Sequence, residues 1–385
     1  MPKIKVLRVI ARMNVGGPAF LVRDLIEKLD ASKFEQILVY GVCEGEENEI
    51  PNLNRLGNAH RLQKFGRRIN LFRDFISMWQ LIRVICSEKP NIIDTHTFKA
   101  GFLIRFYYLF LPLSRVKLVH HYHGHLLNGY FSRQAKVIYR LLEIVLSRHT
   151  DILVTDGDLV KEELINERIA PREKFVTIRP GINIKYSAIP TIIPEDAVGI
   201  GLRSPIVAYI GRLAPVKRPD RYLQVVKELE TRGSDCIFKM YGEGELLAET
   251  ESKILQLNLN MEVQPFQSDI FEILKDVDIL VMTSDNEGTP LTVMQASCAG
   301  VPCIGTNVGS MRDIVADGVN GFLVDTDYVS IANEIEKLVS NLNELSSLQN
   351  SSSLHAKRHF DIKNFVEAHE NIYLTLVNRG KSLSR

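Results

Sequence analysis

Twice along this sequence, short apolar runs alternate with stretches whose apolar residues recur at helical spacing. The first series has strands expected at Lys5–Ile10, Phe34–Gly41, Asn91–His96, Lys117–His121, Asp151–Thr155 and Phe175–Ile178. The second has Ile206–Ile210, Cys236–Tyr241, Glu262–Pro265, Asp278–Met282, Pro302–Gly305 and Gly321–Asp325. Helices are expected between them, for example Ala19–Leu29, Arg68–Ser87 and Asp220–Arg232, and the helix Arg68–Ser87 carries Phe72, Phe75, Ile76, Trp79, Leu81, Ile82 and Ile85 on its apolar side. Repeated strand–helix alternation closes into a parallel sheet covered by helices on both faces. Between the series, residues 185–204 hold several Pro and Gly and no amphipathic face, as an interdomain linker does. The expected fold is therefore α/β: two Rossmann-like, doubly wound parallel-sheet domains, 1–184 and 205–361, facing a central cleft. Ser351–Ser353 reads as a short helix break.

With 385 residues the chain exceeds one ordinary core, and a net charge of +1 with 45% apolar residues reads as an ordinary soluble globular protein. The balance hides a basic region: from Arg61 to Arg148 there are fifteen Lys and Arg against four acids. A solvated face, an anionic membrane or an anionic ligand would explain it; no motif for nucleic acid accompanies it. Five cysteines without CxxC spacing argue against a zinc site or disulfide framework and for a reducing compartment. The opening MPKIKVLRVIARM reads as a strand, not a leader, so the cytoplasm is the expected location. The run Gly101–Leu113 is too short to span a bilayer and contains Arg105.

In such sheets ligands sit beyond the carboxyl ends of the strands. The stretch Thr283–Gly321 supplies a loop acid, Glu287, then Thr289 and Pro290 as expected N-cap and first helical residue of a helix through Ala299. A helix N-terminus there favours an anion. Gly16-Gly17-Pro18 lets a backbone approach a phosphate or makes a plain tight turn. Arg212 and Lys217, in a strand-to-helix loop, suit a diphosphate, and Gly242 to Glu245 follow the next strand. Four histidines crowd 120–125; His120 and His121 alternate faces and no acid nearby completes a metal site, which leaves His123 as a polar site residue. The triplets Asp156–Asp158, Asp276–Asp278 and Asp325–Asp327 are read as chance, not as metal-binding DxD pairs.

Taken in order, the Gly16-Gly17 loop, IIDTHTFKAG from Ile92, HHYHGH from His120, IRPGIN from Ile178, YIGRLAPVKRPD from Tyr209, YGEGE from Tyr241 and the stretch from Thr283 resemble glycosyltransferase family 4, with its two-domain GT-B fold. The resemblance covers nearly the whole chain. It implies a retaining transferase moving a hexose-type sugar from a nucleotide diphosphate sugar, UDP-sugar favoured, to a hydroxyl acceptor in cell-envelope or other surface glycan synthesis, with no metal and no other cofactor. It implies donor binding by Gly16, Gly17, Arg212, Lys217, Gly242, Glu243, Glu287, Gly288, Thr289, Pro290, Leu291 and Gln295. Within that set, Glu287 reads sugar hydroxyls, and Arg212 and Lys217 steady the departing diphosphate. His123, Glu287, Arg212 and Lys217 would be catalytic; Gly17, His96, Lys99 and His123 would meet the acceptor. The final helix, 362–385, would cross back to the first domain. The basic N-terminal domain, with its aromatic-rich run 102–113, points to a glycan or lipid-linked acceptor and peripheral contact with the inner face of the membrane, unless that run is a buried helix. No nucleic acid partner is implied.

The chain departs from the family pattern at several positions. Gln295 stands where the family has a second glutamate, eight residues after Glu287. Gln keeps one carbonyl acceptor for ribose but loses charge assistance, a difference of about 1 kcal/mol. Asp156 replaces a common serine, Pro265 a glycine, and Ser310 and Asp313 the Gly and Glu of a downstream turn. Two alternatives share the expected nucleotide site: a nucleotide-sugar 2-epimerase of the same fold, and a non-catalytic nucleotide-sugar-binding protein.

Overall fold

The computed structural model describes residues 2–45, 47–51, 53, 56–110, 116–124, 133–183, 203–265 and 269–382. The chain divides into two compact units, Met1–Gly181 with Lys363–Arg385, and Ile182–Ile362. Of the expected linker only residues 203 and 204 lie among the described residues.

The first unit holds seven parallel strands: β1 (Ile4–Ile10), β2 (Phe34–Tyr40), β3 (Asn58–Arg61), β4 (Ile92–His96), β5 (Lys117–Tyr122), β6 (Ile152–Thr155) and β7 (Phe175–Thr177), in the order β3-β2-β1-β4-β5-β6-β7. Central strands covered on both faces read as continuous apolar runs, and β1 and β4 are buried almost throughout. The short strand β3, with sequence NAHR, escapes that signal because it is an edge strand and mostly exposed. The helix Ile362–Ser382 belongs to this unit over almost its whole length. Tyr373 Oη donates to Asp94 at 2.6 Å, and its ring meets Phe34 edge-on at 5.9 Å.

The second unit has β8 (Ile206–Ile210), β9 (Ile237–Tyr241), β10 (Val263–Gln264), β11 (Ile279–Met282), β12 (Cys303–Thr306) and β13 (Gly321–Val324), in the order β10-β9-β8-β11-β12-β13. All its pairings are parallel. In both units the strand order reverses beside the first strand, between β1 and β4 and between β8 and β11. Crevices for ligands open at such reversals.

Two expected elements change. The helix Leu71–Glu88 turns Ser77, Leu81 and Ile85 inward, while Phe72, Phe75 and Trp79 face outward. At 100° per residue positions 77, 81 and 85 form one stripe and 72, 75 and 79 another, so the apolar residues do not share one face. No break occurs at Ser351–Ser353: the helix Leu342–His359 runs through it. Ser352 and Ser353 are buried there, and Ser353 Cβ would lie 3.9 Å from a methyl built on Gly300. Small side chains let this helix lie close against the segment that ends the helix Leu291–Cys298.

Candidate active site

Beyond the carboxyl end of β11 the loop Thr283–Thr289 is bound to the loop after β8. Thr283 Oγ1 donates to the Lys217 and Arg218 carbonyls at 3.0 and 2.9 Å, and the Asp285 amide donates to Val216 at 2.8 Å. Arg221 donates to the Thr283 carbonyl at 2.5 Å and to Asp285 at 2.7 Å. These bonds hold Glu287 against Lys217, whose Nζ donates to Oε1 at 2.6 Å and Oε2 at 2.7 Å; Ser284 donates to Oε1 at 2.5 Å. Glu287 is only 4% exposed, so its charge depends on these partners. An ionised carboxylate has about four acceptor positions, and three are used here.

The backbone of Glu287 is fixed from below. Its carbonyl accepts from the Ser310 amide at 2.9 Å, and a methyl on Gly309, at φ 50°, would stand 2.0 Å from that same oxygen. The Gly309→Ala variant is therefore expected to displace Glu287 and to lower any activity that needs it about tenfold or more. Circular dichroism should show an intact fold; unchanged turnover would free Glu287 of this support.

Arg212 is not beside Glu287. It donates to Glu245 at 2.8 Å, with both side chains about half exposed. The sequence pairs Arg212 with Lys217, but the structure gives each its own acid, because the 3-10 turn Pro215–Lys217 separates them. The loops after β8 and β9 join backbone to backbone: Leu213 donates to Glu243 at 2.9 Å, and a methyl on Gly242 would lie 2.0 Å from the Gly211 carbonyl. Gly242, Glu243, Lys217 and Glu287 thus all follow carboxyl ends of neighbouring strands.

The helix N-terminus differs from expectation. Pro290 is the N-cap of Leu291–Cys298, with no side-chain cap bond, because a proline at ψ 91° stands outside the helix. Thr289 is outside too, and its buried Oγ1 has no hydrogen-bond partner among the described residues. Gly288 to Leu291 therefore form an uncapped entry whose amides and hydroxyl suit an anion. Gln295 lies partly buried one turn into that helix.

In the first unit, Gly16 caps the helix Gly17–Lys28, whose Pro18 occupies the first turn. Its φ of 178° is ordinary extended backbone, and only Asn14 Nδ2, at 3.3 Å, would closely face an added methyl. The fold itself does not require glycine there. Beyond β4 and β5, His96, His121 and His123 stack with interplanar angles of 21° and 16°. His96 Nδ1 faces His123 Nε2 at 3.1 Å, and His123 Nδ1 faces Asp156 at 3.0 Å. Asp94 stands below, with His121 Nε2 at 2.9 Å from Oδ1 and His96 Nε2 at 3.3 Å from Oδ2. Fully buried Arg8 and Tyr373 Oη complete its shell. Lys99 donates to the Arg68 carbonyl and pairs with Asp74 at 2.6 Å.

The absence of a nearby acid is thus corrected: Asp94 and Asp156 both touch the histidines, one from within β4 and one from the loop after β6. Strand pairing, β4 with β5 and β5 with β6, brings them together across the sheet. Nitrogens of His96, His121 and His123 lie within 4.8 Å of one another. Burial pushes His96 down to about 3 and His120 and His369 well below their usual value. Burial alone would raise Asp94, but facing His121 and His96 it is held well below the carboxylate range. The DxD triplets part into separate roles: Asp156 faces His123, Asp278 takes both arms of Arg203 at 2.7 and 3.0 Å, and Asp327 caps the helix Tyr328–Val339. Ser284, Arg218 and Arg221 were not singled out by sequence; the signal available was the place of Ser284 and Arg218 in the loops after β11 and β8, and of Arg221 in the first turn of the helix Pro219–Thr231.

Two family models match successive parts of the chain, Glycosyltransferase Family 4 over residues 15–186 and Glycosyl transferases group 1 over 195–353. The chain is 27% identical over 389 aligned residues to the Escherichia coli UDP-Gal:alpha-D-GlcNAc-diphosphoundecaprenol alpha-1,3-galactosyltransferase, covering 97% of this chain and 98% of that protein. It is 24% identical to the Staphylococcus aureus capsular polysaccharide biosynthesis glycosyltransferase CapM, covering 82% and 84%. Among solved structures, sucrose-phosphate synthase of Thermosynechococcus elongatus superposes with a TM-score of 0.80 at 16% identity, covering 98% and 100%. HepE of Anabaena in complex with UDP and glucose gives 0.77 at 16%, covering 96% and 99%. With both halves of the pattern matched in order, and with two parallel-sheet units built on the same strand order, the chain belongs to glycosyltransferase family 4 and is a transferase of the GT-B fold.

Proposed function

We propose that this glycosyltransferase moves a hexose-type sugar from a UDP-sugar, with retention of anomeric configuration, to a hydroxyl of a lipid-linked or envelope glycan acceptor on the cytoplasmic side. The observation that carries the reading is Glu287, buried yet ionically paired with Lys217 at the strand reversal beside β8. A buried carboxylate next to a mobile ammonium can read sugar hydroxyls while the ammonium turns to phosphate oxygens. The uncapped Gly288–Leu291 entry would face the diphosphate, and Arg212 would leave Glu245 for it. Gly16, where the fold does not require glycine, would leave room for a phosphate. Charge from Arg212 and Lys217 would offset the departing diphosphate in place of a metal, so no metal or other cofactor is needed.

On the acceptor side His123, oriented through Nδ1 by Asp156, would lie near the reacting carbon, with His96 behind it and Lys99 and Gly17 towards the acceptor. No carboxylate nucleophile is assigned; the leaving phosphate oxygen would assist the incoming hydroxyl on the same face of the sugar. A relative named for UDP-galactose and a diphosphoundecaprenol-linked acceptor supports the donor and acceptor classes.

A thermal-shift screen of nucleotide sugars tests the donor, since a ligand stabilises the fold that binds it. A UDP-sugar should give the largest shift, and Gln295→Glu should tighten it by roughly a few-fold to tenfold. Release of UDP only in the presence of acceptor, with an axial-type product anomer seen by proton NMR, is the expected result. Conversion of one UDP-sugar into another would favour an epimerase. An inverted product would end the retaining reading.

A further inference from the structure

The helix Leu71–Glu88 is packed the wrong way out for a helix of a protein core. Leu71 is 86% exposed, Phe72 75%, Phe75 66% and Trp79 49%, and Ile69 just before it is 75% exposed. The spacing of 72, 75 and 79 makes these a single outward stripe. Asn70 caps this helix by accepting from the Arg73 amide at 3.0 Å, so the turn carrying Leu71 and Phe72 is fixed in place. The helix Phe98–Phe110 packs beside it and, on its other flank, against the helix Arg133–Ser147. That third helix repeats the pattern, with Val137, Ile138 and Leu141 exposed. By contrast the run 102–113, which the sequence offered as the membrane-facing element, is mostly internal over its described part. Leu103, Ile104, Tyr107 and Tyr108 are buried, and Arg105 makes a two-armed ion pair with Glu143 at 2.7 and 2.8 Å.

The charges around the stripe are unequal in exposure. Side chains of Arg67 and Arg68 are 60% and 83% exposed, whereas their partners Glu47 and Glu44 are largely covered. Arg73 shares Glu44, and Arg83 lies over the Trp79 ring at 3.6 Å. The surface presented to a partner is therefore apolar and aromatic, with a positive border. We propose that this face of the first unit docks on an anionic lipid bilayer, with Phe72, Phe75 and Trp79 entering the headgroup boundary and Arg67, Arg68 and Arg83 meeting lipid phosphates. A helix with aromatic residues on one side and Arg along the border lies in such an interface. A second copy is a poorer occupant, because two such faces would set like charges opposite each other.

The same helix begins beside the candidate acceptor residue. Lys99 is bonded to the carbonyl of Arg68 and to Asp74, so the membrane-facing stripe and the end of β4 are joined directly. An acceptor anchored in the bilayer would reach Lys99 and His123 from this side. That purpose rests on the lipid-linked acceptor proposed above; the docking itself does not.

Trp79 is the single tryptophan of the chain and serves as a built-in probe. The full-length protein is mixed with vesicles of phosphatidylglycerol and phosphatidylcholine, or of phosphatidylcholine alone, with no donor or acceptor present. Expected are flotation with the anionic vesicles at low salt, a blue shift of Trp79 emission, and quenching by lipids brominated in their chains. The double variant Phe72→Asp/Phe75→Asp should lower partitioning at least about tenfold. The matched control Leu255→Asp, 80% exposed on the second unit, should leave it unchanged. Because Phe72 and Phe75 are exposed, the thermal unfolding of the double variant should match that of the parent. An unaltered Trp79 spectrum with anionic vesicles at low salt, or an equal loss in the Leu255 variant, overturns the proposal. So does lipid-free burial of Trp79 as protein concentration rises, which would show a contact between copies. Transfer to detergent-dispersed lipid acceptor without vesicle binding removes only the surface. Vesicle binding without transfer to any lipid-linked acceptor removes only the acceptor class.

Discussion

Asp94→Ala is expected to lower the stability of the first unit by about 3–5 kcal/mol, the range for removing one partner of a buried charge pair. Arg8 and Asp94 have no exposed side-chain surface, and Tyr373 donates to the same carboxylate oxygen that Arg8 meets. Alanine would leave the Arg8 guanidinium buried, with Gln36 and Tyr373 as its remaining side-chain hydrogen-bond partners among the described residues. Asp94→Asn keeps the shape but not the charge and should cost nearly as much. Trp79 fluorescence in urea reads the first unit alone, which matters because two units need not unfold together. A loss below about 1 kcal/mol in both variants would show that Asp94 is not the hub of this core.

The parent protein should also lose stability on acidification, and the sign follows from the shifts. His96, held at about 3, with His120 and His369, also depressed, are neutral when folded, whereas an unfolded histidine takes up a proton near 6.5. Their contribution is complete above pH 6.5 and is lost as pH falls towards the folded values. His96 alone accounts for a loss of about 1.4 kcal/mol between pH 7.5 and 5.5, and His120 and His369 add losses of the same sign. Asp94 adds a further loss below its unfolded value of 3.8. Urea midpoints that stay level from pH 7.5 to 5.5 would contradict neutral histidines in this core.

The parallel sheets were legible because buried central strands are written as apolar runs, as in Ile279–Met282, and because Gly and Pro punctuate the turns after them. What stayed hidden depends on pairing across the sheet. Nothing near His123 in sequence announces Asp156, thirty-three positions later, or Asp94, twenty-nine earlier; only the order β4-β5-β6 makes them neighbours. Composition likewise cannot say which side of an apolar helix faces in. For Leu71–Glu88 the answer came from Ser77, a small polar residue on the inner stripe, against aromatic neighbours on the outer one. Arg212 and Lys217 were read as one pair because both are basic and close in sequence. An intervening 3-10 turn gives them different acids, and either can be changed without disturbing the other's partner.

Glu287→Ala is expected to lower kcat/KM for transfer about a hundredfold, and at least tenfold. The fold should survive it, since Lys217 is 27% exposed and can turn to water once its partner is gone. Arg212→Ala should also lower transfer at least tenfold, through the diphosphate, and with no change in stability because its bond to Glu245 is a surface one. The two losses differ in kind. If Glu287 reads sugar hydroxyls, Glu287→Gln should weaken the UDP-sugar while UDP itself binds within about a few-fold of the parent value. Arg212→Ala should weaken UDP and UDP-sugar alike. Calorimetry with both ligands separates these cases. Equal losses of UDP and UDP-sugar in Glu287→Gln would mean that the substitution disturbs the loop held by Ser284, Gly309 and Ser310, and that Glu287 supports the site without touching sugar. Near-normal transfer in both Glu287→Ala and Arg212→Ala would place the reaction elsewhere than at the reversal of strands beside β8.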